Sequence, residues 1–402
     1  MFTELLDITL VALAAPLVVQ LAPRLRVPAV VLEIAGGIVI GPQVLGFVNA
    51  DVHVQLLAQI GLAFLLFLAG LEVDLDRLRG PITALAARAF VLSVALALVV
   101  GYFLNLIGTD EDPLLLAIIF VATSLGVLVP VLKDSGEIES EFGQLVFIAG
   151  SIAEFGSILL LSLFFSKESS SPEASIVLLV GFGIVIALGS FFVGRAWRSR
   201  WLARQMERLD ETSSQLRVRA AVAIMFAFVA MANHLGLEAI LGSFLAGALV
   251  RVIDRSDVIA SEHLRTKLEA IGFGFVVPFF FVTTGLTLDV KALFGSWTAG
   301  KEILEFFVAL VLVRGIPAVL YRARFGARRS YVAALMQATS LTFIVVAAHL
   351  GAQLHKIDAS SEAALIMAGL LSVLVFPALA LVLFGRKEEP LPMLTLEEEL
   401  EP

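Results

Sequence analysis

A stretch of four residues at 122–125, Ala-Thr-Ser-Leu, lies in the middle of an apolar run and recurs as residues 338–341 in another. A looser match, Gly-Leu-Glu-Val-Asp at 70–74 and Gly-Leu-Thr-Leu-Asp at 285–289, recurs at almost the same spacing. Short matches in apolar sequence can arise by chance, but two agreeing spacings predict that the chain is built from two repeats. This repeat decides the fold.

The composition places both repeats in a membrane. The chain has 402 residues, of which 59% are hydrophobic and 16% charged, and it contains no Cys. Soluble domains average about 45–50% apolar and about 25% charged residues. This difference excludes an ordinary cytosolic enzyme, a disulfide-bonded secreted domain and a nucleic-acid binder. No catalytic cluster, metal-ligand spacing or cofactor loop is present, so we expect neither an enzyme nor a resident cofactor.

The apolar runs predict about thirteen transmembrane spans, because roughly 20 apolar residues cross a bilayer as a helix. Their approximate limits are 4–22, 29–48, 54–72, 82–107, 113–132, 142–166, 175–194, 216–234, 237–252, 269–288, 301–321, 329–350 and 362–384. The predicted fold is an all-α polytopic membrane protein. We expect a transmembrane domain over 1–385 and a short cytoplasmic tail over 386–402. Within the domain we expect a first repeat at about 1–166, a linker helix at 175–194 and a second repeat at about 216–385.

Basic residues predict the orientation of the chain. Arg and Lys concentrate in alternate loops, such as 195–208 and 322–329, and are nearly absent from the others, such as 110–112. Cytoplasmic loops carry the excess of Lys and Arg. We therefore expect an odd number of spans in the cell membrane, plasma or inner, with the N-terminus outside and the C-terminus in the cytoplasm.

The two repeats are expected to be inverted. The matching stretches lie in spans 3 and 10 and in spans 5 and 12, and an odd separation turns the second copy over in the membrane, as in many secondary transporters. Polar residues predict that spans 5 and 12 are discontinuous: Thr123, Ser124, Gln337, Thr339 and Ser340. Such side chains can satisfy backbone groups freed by an unwound turn. Alternatively, they bond back to their own helix.

Glu154 is the candidate ion-binding residue. It lies at the centre of the sixth span and has no basic residue within one helical turn. A carboxylate at that depth costs about 2.5–3.5 kcal/mol on insertion scales, so it must be protonated, paired or bound to a cation. Such a group can exchange a proton for a cation, and Ser151 can add a hydroxyl one turn away. The alternative is a permanently protonated Glu154 that bonds to a neighbouring helix.

Arg314 is the second intramembrane charge, near the middle of the eleventh span. A buried Arg needs an acceptor, and Glu154 or the carbonyl groups of an unwound turn are the candidates. As a charge partner, Arg314 would neutralise Glu154 when no ion is bound. The alternative is a structural pair that holds two helices together.

Several segments resemble a known family. They are Arg-Val-Pro-Ala-Val-Val-Leu-Glu at 26–33 with Gly41-Pro42, Phe-Leu-Ala-Gly-Leu-Glu-Val-Asp at 67–74, Ala122-Thr123-Ser124, and Arg314 followed by Arg324-Phe-Gly326. Over essentially its whole length the chain resembles the membrane domain of the monovalent cation:proton antiporters, nearest the Kef-like and NapA-like branch. The resemblance implies an NhaA/NapA-like fold, a homodimer in the lipid membrane, and a mobile ion-carrying core. It also implies two crossed, unwound helices that match spans 5 and 12, and elevator-like alternating access.

The chain departs from the family pattern at the ion-binding helix. Family members carry Asp-Asp or Asn-Asp where this chain has Ala153-Glu154. Electroneutral members have Arg at the position of Arg314, and some carry Asp where this chain has Ser124. With one titratable carboxylate in the core, we expect one-for-one exchange of Na⁺ or K⁺ for H⁺, which serves pH homeostasis. The nucleotide-binding domain of Kef-type systems is not expected in this chain.

The expected mechanism centres on Glu154, which binds either a proton or a monovalent cation, helped by Thr123, Ser124 and nearby carbonyl groups. Oxygen ligands suit hard monovalent cations. Two alternatives remain open: a channel-like pathway for K⁺ efflux, and a non-transporting sensor of the same fold. Uncoupled flux would favour the first, and an absence of flux with an intact fold would favour the second.

Overall fold

The computed structural model describes residues 2–21, 27–72, 80–109, 111–165, 215–235, 237–253, 258–289 and 297–384, and every regular element in these ranges is helical. In chain order the helices are α1 (Phe2–Leu21), α2 (Ala29–Ile40), α3 (Val52–Glu72), α4 (Pro81–Leu106), α5 (Pro113–Val121), α6 (Leu125–Asp134), α7 (Glu141–Phe164), α8 (Leu216–His234), α9 (Ala239–Ile253), α10 (Val258–Ile271), α11 (Val277–Thr287), α12 (Trp297–Leu310), α13 (Arg322–Ala338), α14 (Thr342–Gln353) and α15 (Ala359–Phe384).

Two of the long helices contain irregular turns. A π-helical turn at Gly272–Val276 joins α10 to α11. A second π-helical turn at Val311–Gly315 and a 3₁₀ segment at Ile316–Tyr321 join α12 to α13. Single π-helical turns occur frequently at functional sites in helices. The second turn contains Arg314, one of the two candidate charges.

The helices follow the predicted spans closely. Nine helical stretches of the described chain are long and apolar enough to cross a membrane, and α2 and α9 are shorter apolar helices. Twelve of the predicted spans coincide with helices, whereas the seventh, 175–194, and the predicted tail, 386–402, lie outside the described residues. The total of thirteen and the domain limits therefore stay predictions.

The second span is shorter than predicted. Helix α2 ends at Ile40, before Gly41 and Pro42, and the chain then turns back on itself. Proline disfavours the helical conformation in the residue before it, which accounts for this end. The N–H of Gly46 donates to the carbonyl of Gly41 at 2.8 Å, and that of Val48 donates to the carbonyl of Ile40 at 3.1 Å. The predicted span 29–48 was therefore too long at its C-terminal end.

Local sequence fixes the starts of two helices near the candidate site. The Asp112 side chain accepts hydrogen bonds from the N–H groups of Leu114 and Leu115 at 3.0 and 3.2 Å, and Pro113 occupies the first turn of α5. The Ser140 hydroxyl accepts from Gly143 N at 3.0 Å at the start of α7. Both are preferred N-terminal caps, which satisfy backbone donors that have no partner within the helix.

The first set of packed helices, which we term the scaffold helices, comprises α1–α3 and α8–α11. Helix α2 packs on α11, and α3 packs on α9 and α11. Glycines allow the close approach: a Cβ atom on Gly37 would collide with the Val282 carbonyl, and one on Gly247 would collide with the Phe67 carbonyl. Small residues at helix contacts allow such approach in membranes, where van der Waals packing replaces the hydrophobic effect.

The second set, which we term the core helices, comprises α4–α7 and α12–α15. Helix α4 packs on α5 and α7, α14 packs on α5, and α15 packs on α12, α13 and α14. Helix α7 also reaches the scaffold helices, where the Phe155 ring stacks on Phe244 of α9 with centroids 5.5 Å apart. The candidate ion-binding residue therefore lies on a core helix that faces the scaffold.

The α2–α11 contact provides a test of the fold. A Cβ atom on Gly285 would collide with the Ile34 carbonyl, whereas Gly300 in α12 has open space around its Cα. We expect Gly285→Ala to destabilise the protein by about 1–3 kcal/mol, since neither backbone can easily move away. The matched control Gly300→Ala should be neutral or stabilising by up to about 1 kcal/mol. Thermal unfolding in detergent measures both; equal melting temperatures would contradict the packing described.

Candidate ion-binding site

Two helix breaks form the centre of the site. Helix α5 ends at Val121 and α6 begins at Leu125, with residues 122–124 in extended conformation between them. Helix α13 ends at Ala338 and α14 begins at Thr342, with residues 339–341 between them. The prediction that spans 5 and 12 are discontinuous is confirmed, and each break coincides with the repeated Ala-Thr-Ser-Leu stretch.

The two breaks meet and bond to each other. The N–H of Ser124 donates to the carbonyl of Thr339 at 3.0 Å, and the Thr123 hydroxyl donates to the carbonyl of Gln337 at 2.7 Å. The hydroxyl groups of Ser124 and Thr342 are 3.1 Å apart. Backbone groups freed in one helix are thus satisfied by the other. We call this hydrogen-bonded region, residues 122–125 and 337–342, the crossing.

Unlike the Thr123 hydroxyl of the first break, the Thr339 hydroxyl of the second break does not bond across to the other helix. The Thr339 hydroxyl donates to the Leu335 carbonyl of its own helix at 3.1 Å. Ser372 of α15 contacts the backbone of Ser340. Its hydroxyl accepts from Ser340 N at 3.1 Å, and its one proton lies within donating distance of both the Ser340 carbonyl at 3.0 Å and the Gly369 carbonyl of α15 at 2.7 Å. Ser372 was not identified from the sequence, where it is one of several serines in apolar segments.

Glu154 lies beside the crossing on α7. Its side chain is buried, with 5% of the residue exposed, and its Oε2 accepts a hydrogen bond from Leu125 N at 3.3 Å. Leu125 is the first residue of α6, so the carboxylate meets the positive end of that helix dipole. Within the described ranges, no basic side chain lies at ion-pair distance from Glu154. The Ser151 hydroxyl donates to Phe147 O of its own helix at 3.0 Å.

Arg314 contacts the crossing but not Glu154. Its Nε donates to the Thr123 hydroxyl at 3.0 Å, its Nη1 to the Ser93 hydroxyl at 3.1 Å, and its Nη2 to Gln337 Oε1 at 3.5 Å. The residue is 1% exposed, and all three acceptors are neutral. Arg314 is therefore not paired directly with Glu154 in this conformation, in contrast to the expected charge pair. The physical reason is that three of its five N–H groups are directed at neutral acceptors on Thr123, Ser93 and Gln337.

Glu154 lines a large cavity between the core and the scaffold helices. The cavity has a volume of about 820 Å³ and is mostly apolar, with Glu154, Glu72, Ser135 and Thr342 among its polar lining residues. Glu72 is the last residue of α3, and its Oε1 lies 3.6 Å from Arg265 Nη2. Glu72 therefore shares a cavity with Glu154, although the two residues lie on different helices far apart in the sequence.

Comparison with known proteins identifies the family. A sequence profile of the transmembrane sodium/hydrogen exchanger domain matches residues 9–382. The chain belongs to the sodium/hydrogen exchanger family. Members of this family are transporters and not enzymes, and the resemblance inferred from the sequence motifs is confirmed.

Individual exchangers are similar over most of the chain. YjbQ of Bacillus subtilis is 30% identical over 404 residues, 96% of this chain and 64% of that protein, so the chain spans less than two thirds of that relative. The Na⁺/H⁺-K⁺ antiporter GerN of Bacillus cereus is 27% identical over 334 residues, 81% of this chain and 80% of GerN. The Na⁺/H⁺ antiporter of Enterococcus hirae is 24% identical over 389 residues, 94% of this chain and 97% of that protein.

A solved exchanger structure has the same fold. The sodium proton antiporter MjNhaP1 of Methanocaldococcus jannaschii superposes with a TM-score of 0.66 at 18% identity, covering 96% of this chain and 99% of that one. The predicted fold class, an all-helical antiporter fold with two crossed discontinuous helices, is therefore confirmed.

The two helix breaks provide a matched test of the crossing. Thr123→Val would leave the Gln337 carbonyl and Arg314 Nε without their partner, at a cost of about 1–3 kcal/mol for each buried group left unsatisfied. Thr339→Val, at the equivalent position, removes a bond to its own helix only. We therefore expect a clearly larger loss of melting temperature in detergent for Thr123→Val. A similar loss for both variants would show that the bonds across the crossing do not hold it together.

Proposed function

We propose that this exchanger couples the movement of a monovalent cation, Na⁺ or K⁺, to the opposite movement of H⁺, with Glu154 as the shared binding group. One observation carries the proposal: a buried carboxylate without a basic partner in the described chain lies between a large cavity and a helix break. The names of two relatives support this choice of transported ions, since GerN is an Na⁺/H⁺-K⁺ antiporter and the Enterococcus hirae protein is an Na⁺/H⁺ antiporter.

The oxygens around Glu154 suit a monovalent cation. Thr342 lines the same cavity, and the Ser124 hydroxyl lies 3.1 Å from that of Thr342. Hard cations prefer oxygen ligands, and these hydroxyls with the Glu154 carboxylate supply them without a second negative charge. The Thr123 hydroxyl already donates to Gln337 O and accepts from Arg314. Its proposed role is therefore to hold Arg314 at the crossing while Ser124 and Thr342 face the ion.

Access alternates in the proposed cycle, and we assign this structure to the state that is open to the cytoplasm. The cavity reaches Glu72 at the end of α3, Ser135 after α6 and Phe384 at the end of α15. With the orientation predicted from the basic loops, these ends lie at the cytoplasmic face. Movement of the core helices against the scaffold helices would close this cavity and open a path from Glu154 to the other side. We further propose that the chain acts as a homodimer in the cell membrane.

Exchange is proposed to be one-for-one. Of the carboxylates that line the cavity, Glu72 lies 3.6 Å from Arg265, whereas Glu154 has no basic partner among the described side chains. One exchangeable carboxylate can carry either one proton or one monovalent cation each time it moves between the two sides of the membrane. A complete cycle therefore moves no net charge.

Replacing the carboxylate tests the function directly. In proteoliposomes that contain a pH-sensitive dye, addition of Na⁺, K⁺ or Li⁺ should release protons through the unaltered protein. Glu154→Gln should reduce this signal to that of protein-free liposomes, because the amide cannot exchange a proton for a cation. Glu141→Gln is the matched control, since Glu141 lies on the same helix but is exposed and paired with Arg324. Retained exchange in Glu154→Gln would refute the assignment, and uncoupled cation flux would favour a channel.

Imposed voltage tests the stoichiometry. For Na⁺ and Li⁺, a membrane potential clamped with potassium and valinomycin should leave the initial exchange rate unchanged if each cycle moves one charge in each direction. A rate that changes severalfold with voltage would show that a second group, with Glu72 as the first candidate, also carries ions.

A further inference from the structure

A second cavity lies between the same two groups of helices, toward their other ends. It has a volume of about 280 Å³ and is lined by residues of α3, α11, α14 and α15, among them Gln55 and Gln59. Gln55 is in the first turn of α3 and Glu72 is its last residue, so the two cavities reach points roughly 25 Å apart along this helix, at 1.5 Å per residue. The second cavity therefore belongs to the opposite side of the membrane from the first.

One carboxylate, Glu362, lines this cavity together with His349 and Gln353. His349 Nδ1 lies 3.1 Å from Glu362 Oε1, and Gln353 Nε2 lies 3.0 Å from His349 Nε2. The His349 imidazole therefore bridges the Glu362 carboxylate and the Gln353 amide.

Three threonines of α11 line the cavity, and one of them differs from the others. The Thr284 hydroxyl donates to Phe280 O at 2.9 Å, and the Thr287 hydroxyl donates to Thr283 O at 3.1 Å. The Thr283 hydroxyl is buried and has no hydrogen-bond partner within the part of the chain that the structure describes. A buried hydroxyl without a partner costs about 1–3 kcal/mol, so this one is available to bond to a water molecule or an ion in the cavity.

We propose that the second cavity is a binding site for a monovalent cation, separate from Glu154, with the Glu362 carboxylate as its charge and the Thr283 hydroxyl as a neutral ligand. The amide oxygens of Gln55 and Gln59 complete an oxygen-rich lining; Gln55 Nε2 donates to Ala50 O at 2.9 Å, which leaves its amide oxygen for the ion. The site rests on the function proposed above for the class of ion that it binds.

Size and charge both suit a partly hydrated monovalent cation. The volume holds several water molecules, each of which occupies about 30 Å³ in the liquid. Apolar side chains form the rest of the lining, including Leu62, Phe280 and Ile366. The Glu362 carboxylate gives this cavity a negative charge, which raises the local concentration of cations. A divalent ion is disfavoured, since it prefers more charged oxygen ligands than one carboxylate provides.

Direct binding of radioactive sodium and rubidium tests the site. The full-length chain is purified with Glu154→Gln, which removes the charge of the first site, and saturable binding is then measured in this background. We expect one cation site, which Glu362→Gln abolishes and Thr283→Val weakens about fivefold through loss of one ligand. Thr284→Val is the matched control and should bind within about twofold of the background protein, because its hydroxyl is used within α11.

The melting temperature of Thr283→Val distinguishes the loss of a cation ligand from a loss of packing. Thr283→Val is nearly isosteric and removes an unpartnered hydroxyl, so the melting temperature should stay equal or rise while cation binding falls. Absence of saturable binding in the Glu154→Gln protein, or equal binding by the two threonine variants, would overturn the second site. Binding that needs Glu362 and Thr283 supports it even if Glu154→Gln still exchanges ions, a result that would overturn the proposed function instead.

Discussion

The structure depends on one constraint: backbone groups freed by a helix break inside a membrane must find partners within the protein. Residues 122–124 and 339–341 meet this constraint together, because the N–H of Ser124 and the hydroxyl of Thr123 donate to carbonyls of the other broken helix. A single break would leave such groups without partners. The recurring Ala-Thr-Ser-Leu stretch lies at both breaks, so each break supplies partners for the other.

The crossing also determines the electrostatics of the site. Glu154 bonds to Leu125 N at the start of α6, and Arg314 bonds to Thr123, two residues earlier in the same segment. Both positive sources, the helix end and the guanidinium, are therefore fixed by one stretch of unwound chain. In the proposed cycle, a proton or a cation that binds Glu154 must compete with the Leu125 N–H, and a shift of this stretch would change both contacts at once. Binding and conformational change would thus be linked through residues 123–125.

The sequence predicted the features that depend on local pattern. Hydropathy located twelve helical regions of the described chain, and the repeated Ala-Thr-Ser-Leu marked both breaks, because unwound turns in a membrane require hydroxyl and amide groups. Features that depend on the packing of distant residues could not be predicted from the sequence. Arg314 was expected near Glu154, but its donors reach Ser93 and Gln337 on other helices. Ser372 and Thr283 look like ordinary residues of apolar helices until their neighbours are known.

The departure at Ala153 bears on whether this chain still transports. The family resemblance implies a polar residue at this position, so Ala153 bears on the alternative of a non-transporting sensor. Ala153 is fully buried, so its methyl group packs in the core and leaves no polar gap. Arg314 bonds to Thr123, Ser93 and Gln337 and not to residue 153. The bonds across the crossing form without a polar side chain at 153, although the buried Ser340 hydroxyl has no partner among the described residues, and Glu154 keeps both its contact with α6 and its access to the cavity. These contacts favour an exchanger that has simplified its site over one that has lost it.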